Sequence, residues 1–151
     1  MQEAQNLFIS IIIPCFNEEQ VISHTYERVD KAMQRFTHRG YELIFINDGS
    51  RDKTLEILRE IAKNDLNVKI LSFSRNFGHP AVTAGINMCV GDVAIIIDGD
   101  LQDPPELFSE MVKIHLEQNA NVVYGLRGER KGETFFKRIS AKYFYKTINF
   151  L

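Results

Sequence analysis

Apolar positions fall along this chain in short unbroken runs, separated by longer stretches with helical spacing. Five runs, at residues 8–13, 42–46, 68–73, 93–97 and 121–124, are apolar or β-branched almost throughout. Runs of that length without polar alternation predict strands buried on both faces. Between the first two runs, Ile22, Tyr26, Val29, Met33 and Phe36 recur at steps of 4, 3, 4 and 3 residues. That spacing forms one stripe of an amphipathic helix. Leu55, Leu58, Ile61 and Ala62 repeat the pattern, and Leu107, Phe108, Met111, Val112 and His115 do so again. Residues 81–90 are apolar nearly all round and predict a buried helix. Residues 135–151 predict a further helix.

Alternation of strand and helix implies βαβ units, and hence a mainly parallel sheet covered by helices on both faces. The fold class is α/β in three layers, Rossmann-like. In such sheets ligands bind beyond the carboxyl ends of the strands, where the strand order reverses. The chain ends on an apolar stretch, residues 148–151, with neither Gly nor Pro as a stop signal, which reads as a truncated helix.

Composition agrees with a globular domain. The chain has 151 residues, 44% hydrophobic and 25% charged, enough to fold around one core without disulfide or metal staples. The net charge is −2, which offers no bulk basic field for nucleic acid. The charge is unevenly spread. Residues 127–146 hold seven cations against two anions, so +5, which leaves −7 for the remainder. Cys15 and Cys89 make no disulfide framework. The N-terminal stretch lacks the pattern of a secretory signal, and no apolar run approaches the ~18 residues of a membrane span.

Chemistry-bearing residues follow each strand. After the first come Pro14, Asn17 and Glu18, with Asn17 suited to cap the next helix. After the second come Asp48, Gly49, Ser50 and Asp52. Asp-Gly suits a tight turn, Ser50 or Asp52 suits a cap, and a carboxylate at the mouth of a buried strand needs a partner. After the third, Arg75 and a helix N-terminus suggest an anion cradle, and His79 reads as a local cap or packing residue. The run after the fourth strand is the most informative, Asp98-Gly99-Asp100-Leu101-Gln102-Asp103-Pro104-Pro105. Asp98, Asp100 and the Gln102 amide oxygen are hard oxygen ligands of the kind Mg²⁺ or Mn²⁺ take while also holding phosphate. Gly99 lets backbone and ligand approach closely. After the fifth, Arg127, Arg130 and Lys131 suit pyrophosphate or a solvated loop.

In order and spacing, "IIIPCFNEE", "YELIFINDGSRDKT", "SFSRNFGHPAVTAGI" and "IIIDGDLQDPPELF" resemble the family 2 inverting glycosyltransferases of GT-A fold. The closest resemblance is to the branch that loads a sugar onto a polyprenyl phosphate, as dolichyl-phosphate mannose synthases and undecaprenyl-phosphate glucosyltransferases do. The resemblance implies a nucleotide-sugar-binding core over residues 1–133. Residues 134–151 would begin an acceptor or membrane-facing helical region. It implies that Pro14, Asn17 and Glu18 line the pocket for base and ribose, and that Asp48 bonds the base beside Gly49 and Ser50. Asp98 and Gly99 would lie near ribose and sugar, Asp100 and Gln102 on the metal, and Arg127 near the phosphates. Where the family commonly has Tyr after the first-strand proline, this chain has Cys15-Phe16.

The implied reaction is a metal-dependent, inverting transfer of a hexose from a nucleoside-diphosphate sugar, UDP by resemblance to the bacterial branch. Asp100 would act through the metal. The family's acidic proton acceptor lies in a segment resembling TGDF, which does not occur in this chain. The basic and aromatic stretch 134–151 suits an anionic membrane surface, and the implied location is the cytoplasmic face of the membrane. A soluble family 2 enzyme building surface polysaccharide and a non-catalytic nucleotide-sugar-binding module are the alternatives. A phosphatase using Asp98 as nucleophile fits the aspartate pair alone and leaves Asp48, Asn17 and Glu18 without a task.

Overall fold

The computed structural model describes residues 6–36 and 39–126; Arg127, Arg130, Lys131 and the 134–151 stretch lie outside the described residues. The element order is β1 (Phe8–Cys15), α1 (Ile22–Gln34), β2 (Gly40–Asn47), α2 (Thr54–Asn64), β3 (Val68–Ser72), α3 (His79–Met88), β4 (Val93–Ile96) and α4 (Phe108–Gln118), with a 3-10 turn at Pro105–Leu107 before α4. The four strands form one parallel sheet in the order β3-β2-β1-β4. After β3 the chain returns past β1 to lay down β4, so the strand order reverses between β1 and β4. Their carboxyl ends carry Pro14-Cys15 and Asp98-Gly99-Asp100.

Alternation along each strand divides the core into two layers. Ile9, Ile11, Ile13, Leu43, Phe45, Ile95 and Ile97 meet Ile22, Val29 and Met33 of α1, Leu58 of α2, and Phe108 and Val112 of α4. On the other face Ile12, Ile44 and Ile46 meet Ala81 of α3. Each such side chain, withdrawn from water, contributes about 1.5–3 kcal/mol. β1 and β2 are buried on both faces, as their apolar runs predict.

Three elements depart from the sequence expectation. β4 buries one face only, with Ile96 50% exposed, and the expected all-round burial of α3 is confined to Ala81 and Gly85. Ile86, Met88 and Val90 are exposed, and among the described residues α3 is the helix that packs on the Ile12, Ile44 and Ile46 face. The expected strand at 121–124 forms no ladder, since a strand requires a hydrogen-bonded neighbour. Pro14 does not end β1, which pairs with β2 through Cys15. Carbonyls of Ile12 and Pro14 accept N–H groups of Ile97 and Gly99, whereas Cys15 O accepts from Asp48 on the β2 side. The N–H that proline lacks therefore falls on the β4 side, and the β2 ladder continues undisturbed.

A buried polar cluster closes the far end of the sheet. Glu42, 3% exposed, accepts the Ser10 hydroxyl at 2.6 Å and the Val90 N–H at 2.8 Å, and Lys69 Nζ lies 2.5 Å from its second oxygen. Burial pushes the Glu42 carboxyl up, but Lys69, the Ser10 hydroxyl and the Val90 N–H together hold it below the usual range.

Candidate active site

At the reversal point the loops after β1 and β4 and the start of α3 enclose an open cleft of about 350 Å³. Its lining is Pro14, Cys15, Phe16, Glu18, Asp48, Gly78, His79, Val82, Asp98, Gly99 and Asp100. Of the residues singled out from sequence, the structure gathers Pro14, Glu18, Asp48, Asp98, Gly99 and Asp100 into that one cleft. Asn17, Gly49, Ser50 and Gln102 do not line it.

Those four have other tasks. Asn17 does not cap α1, which begins at Ile22 with Val21 before it and no side-chain cap. Asn17 instead adopts φ +57°. Its amide oxygen accepts the Arg51 N–H at 2.9 Å, and its own N–H reaches the Ser50 hydroxyl at 3.0 Å. The lacing continues between the loops after β1 and β2. Glu18 N–H donates to Thr54 Oγ1 at 2.8 Å, Glu19 N–H to Asp52 at 3.1 Å, and Lys53 N–H to Glu19 at 2.9 Å. Burial pushes Asp52 up, but bonds from the Thr54 hydroxyl and from the Thr54 and Glu19 N–H groups outweigh it and hold the carboxyl down. Gln102 meets Asp100 through its backbone, its N–H lying 3.0 Å from Asp100 Oδ1, with Leu101 turned to φ +62° between them.

Asp48 is only 5% exposed, and its carboxylate is paired from within. Oδ1 accepts the Phe77 N–H and Oδ2 the Gly78 N–H, each at 2.8 Å. The partner demanded by a carboxylate at a strand mouth is thus the loop leading into α3. Gly49, at φ +73°, lies beneath the same loop, where a Cβ would stand 2.3 Å from the Arg75 carbonyl carbon. No other residue fits there without moving the loop. Arg75 does not line the cleft, since its guanidinium sits 4.8 Å above the Phe77 ring.

The electrostatics of the cleft are one-sided. Four carboxylates line it, and no Lys or Arg does among the described residues. Burial, then the charges of Asp100, Asp52 and Asp98, raise the Glu18 carboxyl above its ordinary value. Burial, then the charges of Glu18, Asp52 and Asp48, push the Cys15 thiol up to about 12, so Cys15 is a packed thiol and not a nucleophile. No three carboxylate, thiol or imidazole groups among the described residues form a metal cage of their own. A hard cation that keeps waters and takes phosphate oxygens needs only one or two carboxylates, and Asp98 with Asp100 fits that need.

The sequence reads His79 as a cap or packing residue and gives no signal for Val82; both lie in the first turn of α3 and line the cleft because Asp48 fixes that helix start. Sequence reading also passed over Thr25, whose hydroxyl lies 2.7 Å from the Gly99 carbonyl oxygen. A Thr among the apolar positions of an amphipathic stripe was the only local signal.

The family model described as Glycosyl transferase family 2 matches residues 10–151, and the chain belongs to that family. It is 48% identical over 147 residues to the uncharacterized glycosyltransferase YkcC of Bacillus subtilis, covering 97% of this chain and 45% of the relative. It is 40% identical over 142 residues to the bactoprenol glucosyl transferase of Shigella phage SfV, covering 93% and 46%. The chain therefore spans about half the length of the curated relatives it matches. Among solved structures, the mannosyltransferase PcManGT of Pyrobaculum calidifontis, in complex with GDP-Man and Mn²⁺, superposes with a TM-score of 0.64 at 18% identity, over 73% of this chain and 32% of that one. That likeness shows the shared fold.

Proposed function

We propose that this chain is the donor-binding part of an inverting transferase that moves a hexose from UDP to a polyprenyl phosphate. The observation that carries this reading is the cleft at the strand-order reversal, lined by Glu18, Asp48, Asp98 and Asp100 without a lining Lys or Arg among the described residues. A diphosphate entering there meets repulsion from every side unless a divalent cation comes with it. Asp98 and Asp100 are the residues to hold Mg²⁺ or Mn²⁺, which when bound offsets the negative charge growing on the departing diphosphate. Pro14, Phe16 and Val82 supply apolar lining for base and sugar.

In the transfer, an oxygen of the acceptor phosphate attacks the anomeric carbon. The bond from that carbon to the diphosphate oxygen breaks, its electron pair leaves with the diphosphate, and the configuration inverts. Holding donor and acceptor in line supplies much of the acceleration. The relation to a bactoprenol glucosyl transferase supports glucose and a polyprenyl phosphate as the transferred group and acceptor. The basic and aromatic sequence 134–151 supports contact with an anionic membrane surface. No helix among the described residues is long and apolar enough to cross a membrane.

A melting-temperature screen tests the reading, because a specific ligand stabilises by mass action. UDP-glucose with Mn²⁺ is expected to raise the midpoint, and GDP-mannose with Mn²⁺ or UDP-glucose with chelator much less. Equal rises with both nucleotides, or none with either, would overturn it.

A further inference from the structure

The turn between the two aspartates is tied down at its middle residue. Gly99 donates its N–H to the Pro14 carbonyl at 3.2 Å, and its own carbonyl faces Thr25 of α1. Thr25 is 1% exposed. Its hydroxyl lies 2.7 Å from Gly99 O and 3.2 Å from Val21 O in its own helix. A hydroxyl has one proton, and the shorter distance assigns it to Gly99. Gly99 packs closely against the end of β1, where a Cβ would lie 3.2 Å from Pro14 O and 3.3 Å from Cys15 Cβ.

One turn along the same helix, Arg28 grips Glu106 with Nη2 at 2.9 and 3.2 Å from its two carboxylate oxygens. The segment carrying both aspartates is thus held by one helix at Gly99 and again at Glu106. That matters because the neighbouring backbone is not in a relaxed state. Leu101 is a non-glycine residue at φ +62°, a conformation that persists only where surrounding contacts enforce it. Asp98 makes no hydrogen bond or ion pair with a described residue, and Asp100 uses one oxygen on the Gln102 N–H. Neither carboxylate is oriented by a side chain of its own; both hang from the Gly99 peptide.

We propose that Thr25 is a positioning residue for the donor site: its buried hydroxyl, by holding the Gly99 carbonyl, sets the separation and direction of the Asp98 and Asp100 carboxylates. It touches neither donor nor cation. The inference rests on the proposed function above, in which those two carboxylates hold the divalent ion.

The test compares wild type, Thr25→Val, which keeps shape and removes the hydroxyl, and Thr25→Ser, which keeps the hydroxyl. Calorimetry with UDP across a Mn²⁺ series gives the Mn²⁺ concentration for half-maximal UDP binding, and urea unfolding of the ligand-free proteins gives stability. Thr25→Val is expected to need about tenfold more Mn²⁺, and Thr25→Ser to stay within about twofold of wild type. A residue that only supports the core would lower stability and leave the Mn²⁺ requirement of the folded protein unchanged. An unchanged requirement in Thr25→Val, or an equal rise in both variants, overturns the proposal. Should Thr25→Val not fold, Thr25→Ala removes the same hydroxyl without adding bulk and is read the same way. If wild type itself binds UDP without regard to Mn²⁺, the donor-site reading fails first, and the role of Thr25 with it.

Discussion

Asp100→Asn is expected to abolish the Mn²⁺-dependent part of UDP binding while leaving the fold intact. The substitution isolates charge from shape. An asparagine oxygen can still accept the Gln102 N–H that Asp100 Oδ1 holds at 3.0 Å, so the turn through Leu101 keeps its geometry. What disappears is one of the two anionic oxygen donors available to a hard cation beside the diphosphate. A loss on the order of 100-fold in affinity at fixed Mn²⁺, about 2.7 kcal/mol, is the expected size. The same change lowers the negative potential of the cleft, so binding of UDP in chelator is expected to hold steady or improve slightly. Calorimetry in both conditions separates the two effects. Unchanged affinity with Mn²⁺ would remove Asp100 from the metal site.

Asp48→Asn is expected to damage both stability and nucleotide binding, by a different route. The native carboxylate accepts two N–H groups, from Phe77 and Gly78, one on each oxygen. An amide has one acceptor oxygen, and its nitrogen would face the remaining N–H donor to donor. At 5% exposure water offers little relief, and the unpaired N–H costs about 2–3 kcal/mol. The loop over residues 73–78 sits on Gly49 and sets the start of α3, so its release also moves Gly78, His79 and Val82 at the cleft wall. Urea unfolding should show the loss of stability. Calorimetry should show UDP binding weakened with and without Mn²⁺, which separates this variant from Asp100→Asn. Native-like stability would mean that the carboxylate does not hold the loop.

Both variants probe contacts of different legibility. The unbroken apolar runs identified β1 to β4, and the helical stripes identified α1, α2 and α4 to within a few residues, because burial periodicity is written locally. The aspartate pair was legible for a related reason, since a parallel sheet directs attention to strand ends. Hidden from the sequence was who covers each face. The run at 93–97 looks doubly buried, yet Ile96 is half exposed, because burial depends on a covering element that the run itself does not encode. Residues 121–124 look like a strand and lack the neighbour that would make them one. The side-chain bonds that shape the cleft were equally hidden. Thr25 meets Gly99 across 74 positions, and Asn17 meets Arg51 across 34. Residue type suggested a helix cap for Asn17, whereas the fold uses its amide to lace two loops together.

Beneath every functional statement lies a local charge imbalance. Under the proposed function, a pocket crowded with acids would accept a diphosphate only alongside a divalent ion, and Asp98 and Asp100 would receive that ion. Crystals of the full chain grown with UDP and Mn²⁺, with data collected at the manganese absorption edge, test this most directly. The expected result is one anomalous peak about 2.1–2.3 Å from oxygens of Asp98 or Asp100, beside the UDP phosphates. Bound UDP with no peak there, or manganese held elsewhere on the chain, would contradict it.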